Sequence, residues 1–218
     1  MSLLPIFCQL QGKRCLVVGG GAVALRKTRS LVESHADILV IAPHFCDEMY
    51  HLAQHGKITL KESLFSAYDM QDCWLVFAAT NDPKTNRTIA RLAEAQHIFC
   101  NVADAPEIAS FMTPCRIKRD PVVIAISTSG CAPVYSQYLN QLIESTLPNL
   151  THEIAQLAGS LRAEVKTRLL TAEEKTTLWR CFFANDALHH AIAHRDDFAI
   201  EHHIEALFTT SITTHLDG

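Results

Sequence analysis

At 218 residues and 48% hydrophobic content, the chain can fill one large core, or one ordinary core plus a smaller one, which argues against disorder. Nineteen basic residues face 23 acidic ones for a formal net charge of −4, without a long Lys/Arg run, so no nucleic-acid partner is expected. No window approaches the roughly 18 unbroken apolar residues of a membrane span, and the N-terminal apolar run has neither a basic leader nor a small-residue cleavage site; a cytoplasmic protein with no membrane partner is expected.

The first clear element is "RCLVVGG", a continuous apolar run ending in glycines, followed by "AVALRKTRSLVES" with Val23, Leu25, Thr28, Leu31 and Val32 near helical spacing. That is strand, turn and helix. "DILVIAP" reads as a second strand, "HFCDEMYHLAQHG" as a short helix closed by Gly56, "KITLKES" as an alternating strand and "CWLVFAAT" as a buried one. "DPKTNRTIARLAEAQ" then reads as a helix with Pro83 in its first turn, and "HIFCNVAD" as a strand. This alternation predicts an α/β, Rossmann-like parallel sheet domain over residues 1–113. Past Phe111 the rhythm changes: "FMTPCRIKRDPVVIAISTSG" holds two strand-like segments joined at "KRDP", which predicts a hairpin. With the helix "VYSQYLNQLIESTL" it makes a small strand-containing segment over 114–147. The remainder, 148–218, predicts a helical C-terminal domain of two clear helices and a frayed, His-rich stretch to about Phe208.

Eight cysteines are spread evenly with no C-x-x-C pair, so buried reduced thiols are expected rather than a disulfide or zinc framework. The N-x-T triplets at Asn86 and Asn149 are then chance matches.

The chemistry concentrates at the glycine turn. Gly19, Gly21 and Ala24 fill a G-x-G-x-x-A spacing, with Gly20 between the first two. In a dinucleotide fold such residues allow a tight turn, a close approach of pyrophosphate, and close packing of helix on strand. The helix starting near Ala22 would present free N–H groups and its positive dipole end to the phosphates. One part of the fingerprint is missing. An Asp or Glu belongs at the tip of the second strand, about 20 residues on, to hold the ribose; Pro43 and His44 stand there instead, with no Arg either. Residue chemistry alone leaves NAD and NADP both open.

Taken together in this order, "LPIF", "VVGGGAVALRK", "AATND", "IFCNVADAP" and "ISTSGCAP" make the chain resemble the precorrin-2 dehydrogenase/sirohydrochlorin ferrochelatase family from Leu4 to near Leu188. Its layout resembles the N-terminal half of the fused siroheme synthases, and their methyltransferase domain is not expected in it. The resemblance implies NAD-dependent oxidation of precorrin-2 to sirohydrochlorin, followed in many members by insertion of Fe(II), a substrate, to give siroheme. It implies a homodimer, with the segment after residue 113 and the helices interlocking. It places the coenzyme at Ala22, Val23, Pro43 and His44, with Thr80 and Asn81 nearby, and makes Asp104 the catalytic carboxylate. Asn101, Thr128, Ser129 and Gly130 fall in the motifs expected to face the substrate.

Asp104 also makes chemical sense by itself. Oxidising a reduced tetrapyrrole removes a hydride and a proton, and chelation strips protons from pyrrole nitrogens, so one carboxylate in a cleft can be the base for both. The structural alternative is that Asp104 caps the turn before Pro106. Arg116, Lys118 and Arg119 can meet substrate carboxylates, or be a solvated hairpin tip. The chain also departs from its relatives, with Thr128 for a serine, Cys131 and Ala132 for polar residues, and Gln137 for an arginine. Among the 12 histidines, His190 and His194 have metal-compatible spacing, but a chelatase must release its metal, so no metal ligand is expected.

Two other readings remain: a dehydrogenase without chelatase activity, and a nucleotide-sensing regulatory module. An ordinary short-chain dehydrogenase is disfavoured because the Y-x-x-x-K pair is missing; Tyr135 and Tyr138 are followed four residues later by Leu139 and Leu142.

Overall fold

The computed structural model describes residues 3–169 and 171–213. These group into two compact units: residues 1–114 with 129–131, and residues 115–128 with 132 onward.

The first unit is a five-stranded, all-parallel sheet in the order β3-β2-β1-β4-β5, with strands β1 (Arg14–Val18), β2 (Asp37–Ala42), β3 (Thr59–Glu62), β4 (Leu75–Ala78) and β5 (Phe99–Val102). Three helices cross between strands: α1 (Ala22–Glu33), α2 (Asp47–Gln54) and α3 (Pro83–Ala95). β3 reaches β4 through only a short 3-10 turn, Ala67–Met70, so the alternation of the sequence lapses there. The α/β, Rossmann-like expectation holds.

Because both faces are covered, the central strand carries no polar alternation: Cys15, Leu16, Val17 and Val18 are all buried. On one face Ala24, Leu25 and Leu31 of α1 and Met49 of α2 pack on Cys15, Val17, Ile38 and Val40. On the other, Ile89, Ala90 and Ala93 of α3 pack on Leu16, Val18, Ile41 and Val76. Leu16 is fully buried in this layer, and truncating such a side chain to alanine costs about 2–5 kcal/mol.

The second unit contains the hairpin β6 (Cys115–Arg119) and β7 (Val122–Ile126), which pair antiparallel with Arg119 opposite Val122. With it lie α4 (Pro133–Thr146), α5 (Thr151–Arg168), α6 (Ala172–Phe183), α7 (Asp186–His194) and α8 (Asp197–Thr213). The hairpin and α4, expected as a segment of their own, cluster with the C-terminal helices. Leu161, Val165, Leu178, Phe182, Leu188, Leu207 and Phe208 form its core. The stretch read as frayed is two defined helices. Asn185 caps the first through Leu188 N–H at 2.9 Å, and Arg195, in the left-handed conformation at φ 54°, ends it. Single-sequence periodicity missed the break because charged and histidine residues fill the exposed positions on both sides of it.

Among the described residues no helix is long and apolar enough to cross a membrane.

Candidate active site

All five strands of the sheet run the same way, so their C-terminal ends share one edge, and the strand order reverses between β1 and β4. Ligands of doubly wound sheets bind in the crevice at that reversal. Four of the predicted segments meet this edge: the glycine turn after β1, Pro43 and His44 after β2, Thr80 and Asn81 after β4, and Asp104 after β5.

The glycine turn is fixed by main-chain contacts. Gly19 N–H donates to Ile41 O (2.8 Å), Ala79 N–H to Val18 O (2.8 Å), and Cys46 N–H to Gly20 O (3.0 Å). A Cβ on Gly19, which has φ +132°, would collide with the Ala79 carbonyl, and one on Gly20 with the His44 carbonyl. Both glycines are therefore demanded by the fold. Gly21 is different: a Cβ there would meet nothing within 4 Å, so no contact within the chain requires glycine at this position. Gly21 is the N-cap of α1, no side chain caps that helix, and its first turn holds no acidic residue. Ala22 and Val23 are exposed there. An uncapped, twelve-residue helix whose N-terminus opens beside a side-chain-free backbone fits a dinucleotide pyrophosphate.

At β4 the loop is held by a residue noted in the sequence only as the start of an N-x-T triplet. Asn86, buried on α3, accepts from Thr80 N–H (3.2 Å) and Oγ1 (2.7 Å) and donates to Thr80 O (3.0 Å). An amide on the inward face of a helix one turn past a Pro start was the available signal. Asp82 caps α3 through Lys84 and Thr85 N–H, and these donors with the Thr85 hydroxyl hold its carboxyl below the usual range. Asn81 is exposed between them.

Ala103 N–H donates to Ala78 O (2.9 Å), which carries the ladder one rung past β5. Asp104 follows immediately, exposed and in the left-handed region at φ 62°. Non-glycine residues occupy that region at a cost of about 1–2 kcal/mol, and such outliers gather at functional sites. The capping alternative is not what is seen: the N-cap of the Pro106–Ile108 turn is Ala105, with no side-chain cap bond. Among the described residues no hydrogen bond to the Asp104 carboxylate is found, and the residue is exposed.

Asn101 is buried and donates to Phe111 O at 2.9 Å, tying β5 to the chain that leaves the first unit. Ser129 and Gly130, with φ 54° and 81°, group with the first unit. The remaining expected substrate residues belong to the second unit. Thr128 Oγ1 lies 3.1 Å from the buried Ser136 hydroxyl and accepts from Ala132 N–H (3.2 Å), fastening the loop to the start of α4. On β6, Lys118 pairs with Asp120 (3.3 Å) and Arg119 with Glu144 (2.7 Å), while Arg116 is exposed. His190 and His194 lie ring to ring at 4.1 Å, and no group of three or more metal-ligating side chains is found among the described residues. The eight cysteines are free thiols; burial pushes Cys15 up to about 12 and Cys100 to about 11.

Comparison with known proteins agrees with this architecture. The chain is 43% identical over 209 residues to "Siroheme synthase" of Salmonella arizonae, covering 96% of this chain and 46% of that protein. It is 42% identical to "Siroheme synthase" of Salmonella typhimurium over the same length. The chain thus spans about half the length of the curated relatives it matches. Among solved structures, "SirC, precorrin-2 dehydrogenase" superposes with a TM-score of 0.71 at 20% identity, over 88% of this chain and 98% of that one, and so shares its fold. The resemblance read from the motifs holds. Residues 6–115 match the family described as "Putative NAD(P)-binding", and the chain belongs to that NAD(P)-binding family.

Proposed function

We propose that the protein oxidises precorrin-2 to sirohydrochlorin with NAD as acceptor, and then inserts Fe(II), its second substrate, to give siroheme. The observation that carries this reading is the exposed, unpaired carboxylate of Asp104, held in left-handed backbone one residue past the β4–β5 ladder, on the sheet edge that also carries the glycine turn. The similarity to siroheme synthases over 96% of the chain supports the substrate class.

The residues fit the coenzyme. Gly19, Gly20 and Gly21 with the N–H groups of Ala22 and Val23 would hold the pyrophosphate, Pro43 and His44 would border the adenosine, and Thr80 and Asn81 would line the nicotinamide end. When bound, the nicotinamide supplies the hydride acceptor. Asp104 takes the proton that leaves the macrocycle as the hydride departs and releases it to solvent; in the second step the same carboxylate, ionised again, passes the pyrrole protons one at a time to solvent as they exchange for Fe(II). Arg116, Lys118 and Arg119, with Thr128, Ser129 and Gly130, bind the substrate's carboxylates, Lys118 and Arg119 exchanging Asp120 and Glu144 for the ligand's. Two chains form the working enzyme, which acts in the cytoplasm.

The test is an anaerobic assay with precorrin-2 and NAD, following sirohydrochlorin absorbance and then adding Fe(II), with Asp104→Asn in parallel. Asn tolerates left-handed backbone, so the fold stays intact. The wild type should form sirohydrochlorin and then consume it; the variant should lose both steps by about 10²-fold or more while still binding NAD. Oxidation without chelation confines the protein to the first step. No oxidation with either coenzyme would refute the enzyme reading and leave a nucleotide-sensing module.

A further inference from the structure

The tip of β2 lacks the carboxylate that holds the adenosine ribose in dinucleotide folds, yet the neighbouring strand ends in one. In the parallel β2–β3 ladder Ala42 is in register with Glu62, the last residue of β3. Residues in register on adjacent strands lie about 4.8 Å apart and project to the same face. That face is known for Ala42: a Cβ built on Gly20 would come within 3.0 Å of the Ala42 side chain. Glu62 therefore projects to the face of the glycine turn. The pleat agrees at each flanking position. Val40 and Leu60, one pair earlier on this face, both pack in the layer under α1 and α2, while Lys61 points the other way and pairs with the buried Asp69 at 2.5 Å.

Glu62 is also preset. The Tyr50 hydroxyl, from α2, donates to its Oε1 at 2.8 Å, and Phe45 packs edge-on against Tyr50 with ring centroids 5.8 Å apart. Among the described residues Oε2 has no partner within the chain. Two cations of the surrounding elements are already engaged: Arg29 is paired with Glu48 at 2.8 Å, and Lys61 lies on the opposite face.

Resting on the nucleotide reading above, we propose that Glu62 takes the place of the missing β2 carboxylate: its free oxygen accepts from the adenosine ribose hydroxyls, and its charge repels a 2′-phosphate, making the site selective for NAD over NADP. The anchor has moved one strand outward. Residue spacing could not reveal it, because the spacing rule looks only at the tip of the second strand.

The experiment is calorimetric binding of NAD and of NADP to the full chain, without tetrapyrrole, for wild type, Glu62→Gln and Glu94→Gln. Gln preserves the size of the side chain and an acceptor for Tyr50. Glu94, exposed on α3, gives the same change in net charge away from the ribose. Wild type should bind NAD more tightly than NADP. Glu62→Gln should weaken NAD several-fold and narrow the ratio of the two dissociation constants by about tenfold or more, and Glu94→Gln should leave the ratio unchanged. An unchanged ratio in Glu62→Gln, an equal change in Glu94→Gln, or no preference in wild type overturns the assignment. If wild type binds neither coenzyme, the nucleotide site itself fails and Glu62's role falls with it; if NAD binds and only the ratio disobeys, the nucleotide site stands.

Discussion

The three glycines between β1 and α1 look equivalent in the sequence and are not equivalent in the structure. Gly20 faces the His44 carbonyl, and any side chain there must displace the backbone that links the turn to the loop after β2. Gly20→Ala should therefore lose about 1–3 kcal/mol of stability and NAD binding together. Gly21 faces open space with ordinary backbone angles, φ −92° and ψ −172°. Gly21→Ala should keep its melting behaviour to within about 1 kcal/mol and weaken NAD by tenfold or more, because its methyl occupies the approach of the pyrophosphate. Thermal unfolding and calorimetry on the two variants check this; equal loss of stability in both would show that Gly21 is bare for the fold's sake. At this scale the sequence was informative wherever a residue type carries its own reason, as with Gly19 and Gly20, whose neighbours leave no room for a side chain. It was silent on the proposed role of Glu62, which rests on strand register, and on the contacts of Asn86, which come from a helix face.

Elements were legible where hydrophobic period and punctuation agreed. The run "CLVV" and Gly56 after α2 marked real boundaries, Gly56 with φ 65°. They were illegible where a chain break is made by a residue with no breaking character, as at Arg195. Beside the shared apolar core, α5 is tied to α8 by one charged side chain near the end of α5. Arg168 donates to Glu205 by both terminal nitrogens (2.7 and 2.9 Å) and to Glu164 (2.8 Å), with its guanidinium 3.9 Å from the centre of the Phe208 ring. The guanidinium holds the Glu205 carboxyl below its ordinary 4.5. A carboxyl whose folded value lies below its unfolded one stabilises the fold above the unfolded value and loses that contribution as pH falls through the folded one. Wild type should thus be more stable than Glu205→Gln near neutral pH, and the difference should shrink as the pH falls from about 4.5 further into the acid range. Denaturant titrations at several pH values measure it; a difference constant with pH would show that the pair contributes no charge-dependent stability.

On the scale of the whole molecule, the sequence showed two architectures in one chain, because the change from alternating strands and helices to helices alone is a change of period. It could not show that the hairpin groups with the helices, since that depends on contacts between segments distant in the chain. The same grouping exposes a face that a lone chain leaves in water. On α4, Val134, Tyr138 and Leu142 recur every four residues and are 78%, 57% and 46% exposed, and Tyr135 stacks on Tyr138 with ring centroids 6.1 Å apart. Recurrence at that spacing puts them in one stripe, and burying a large apolar side chain contributes about 1.5–3 kcal/mol. The homodimer proposed above would cover this stripe with a second copy of the chain. Tyr138→Glu combined with Leu142→Glu should then reduce the mass measured by light scattering from two chains to one at micromolar concentration. Helicity should remain, because the two side chains are exposed within their own chain and their loss opens no cavity. A wild type already monomeric at that concentration would refute the dimer; a double variant still dimeric would place the interface elsewhere.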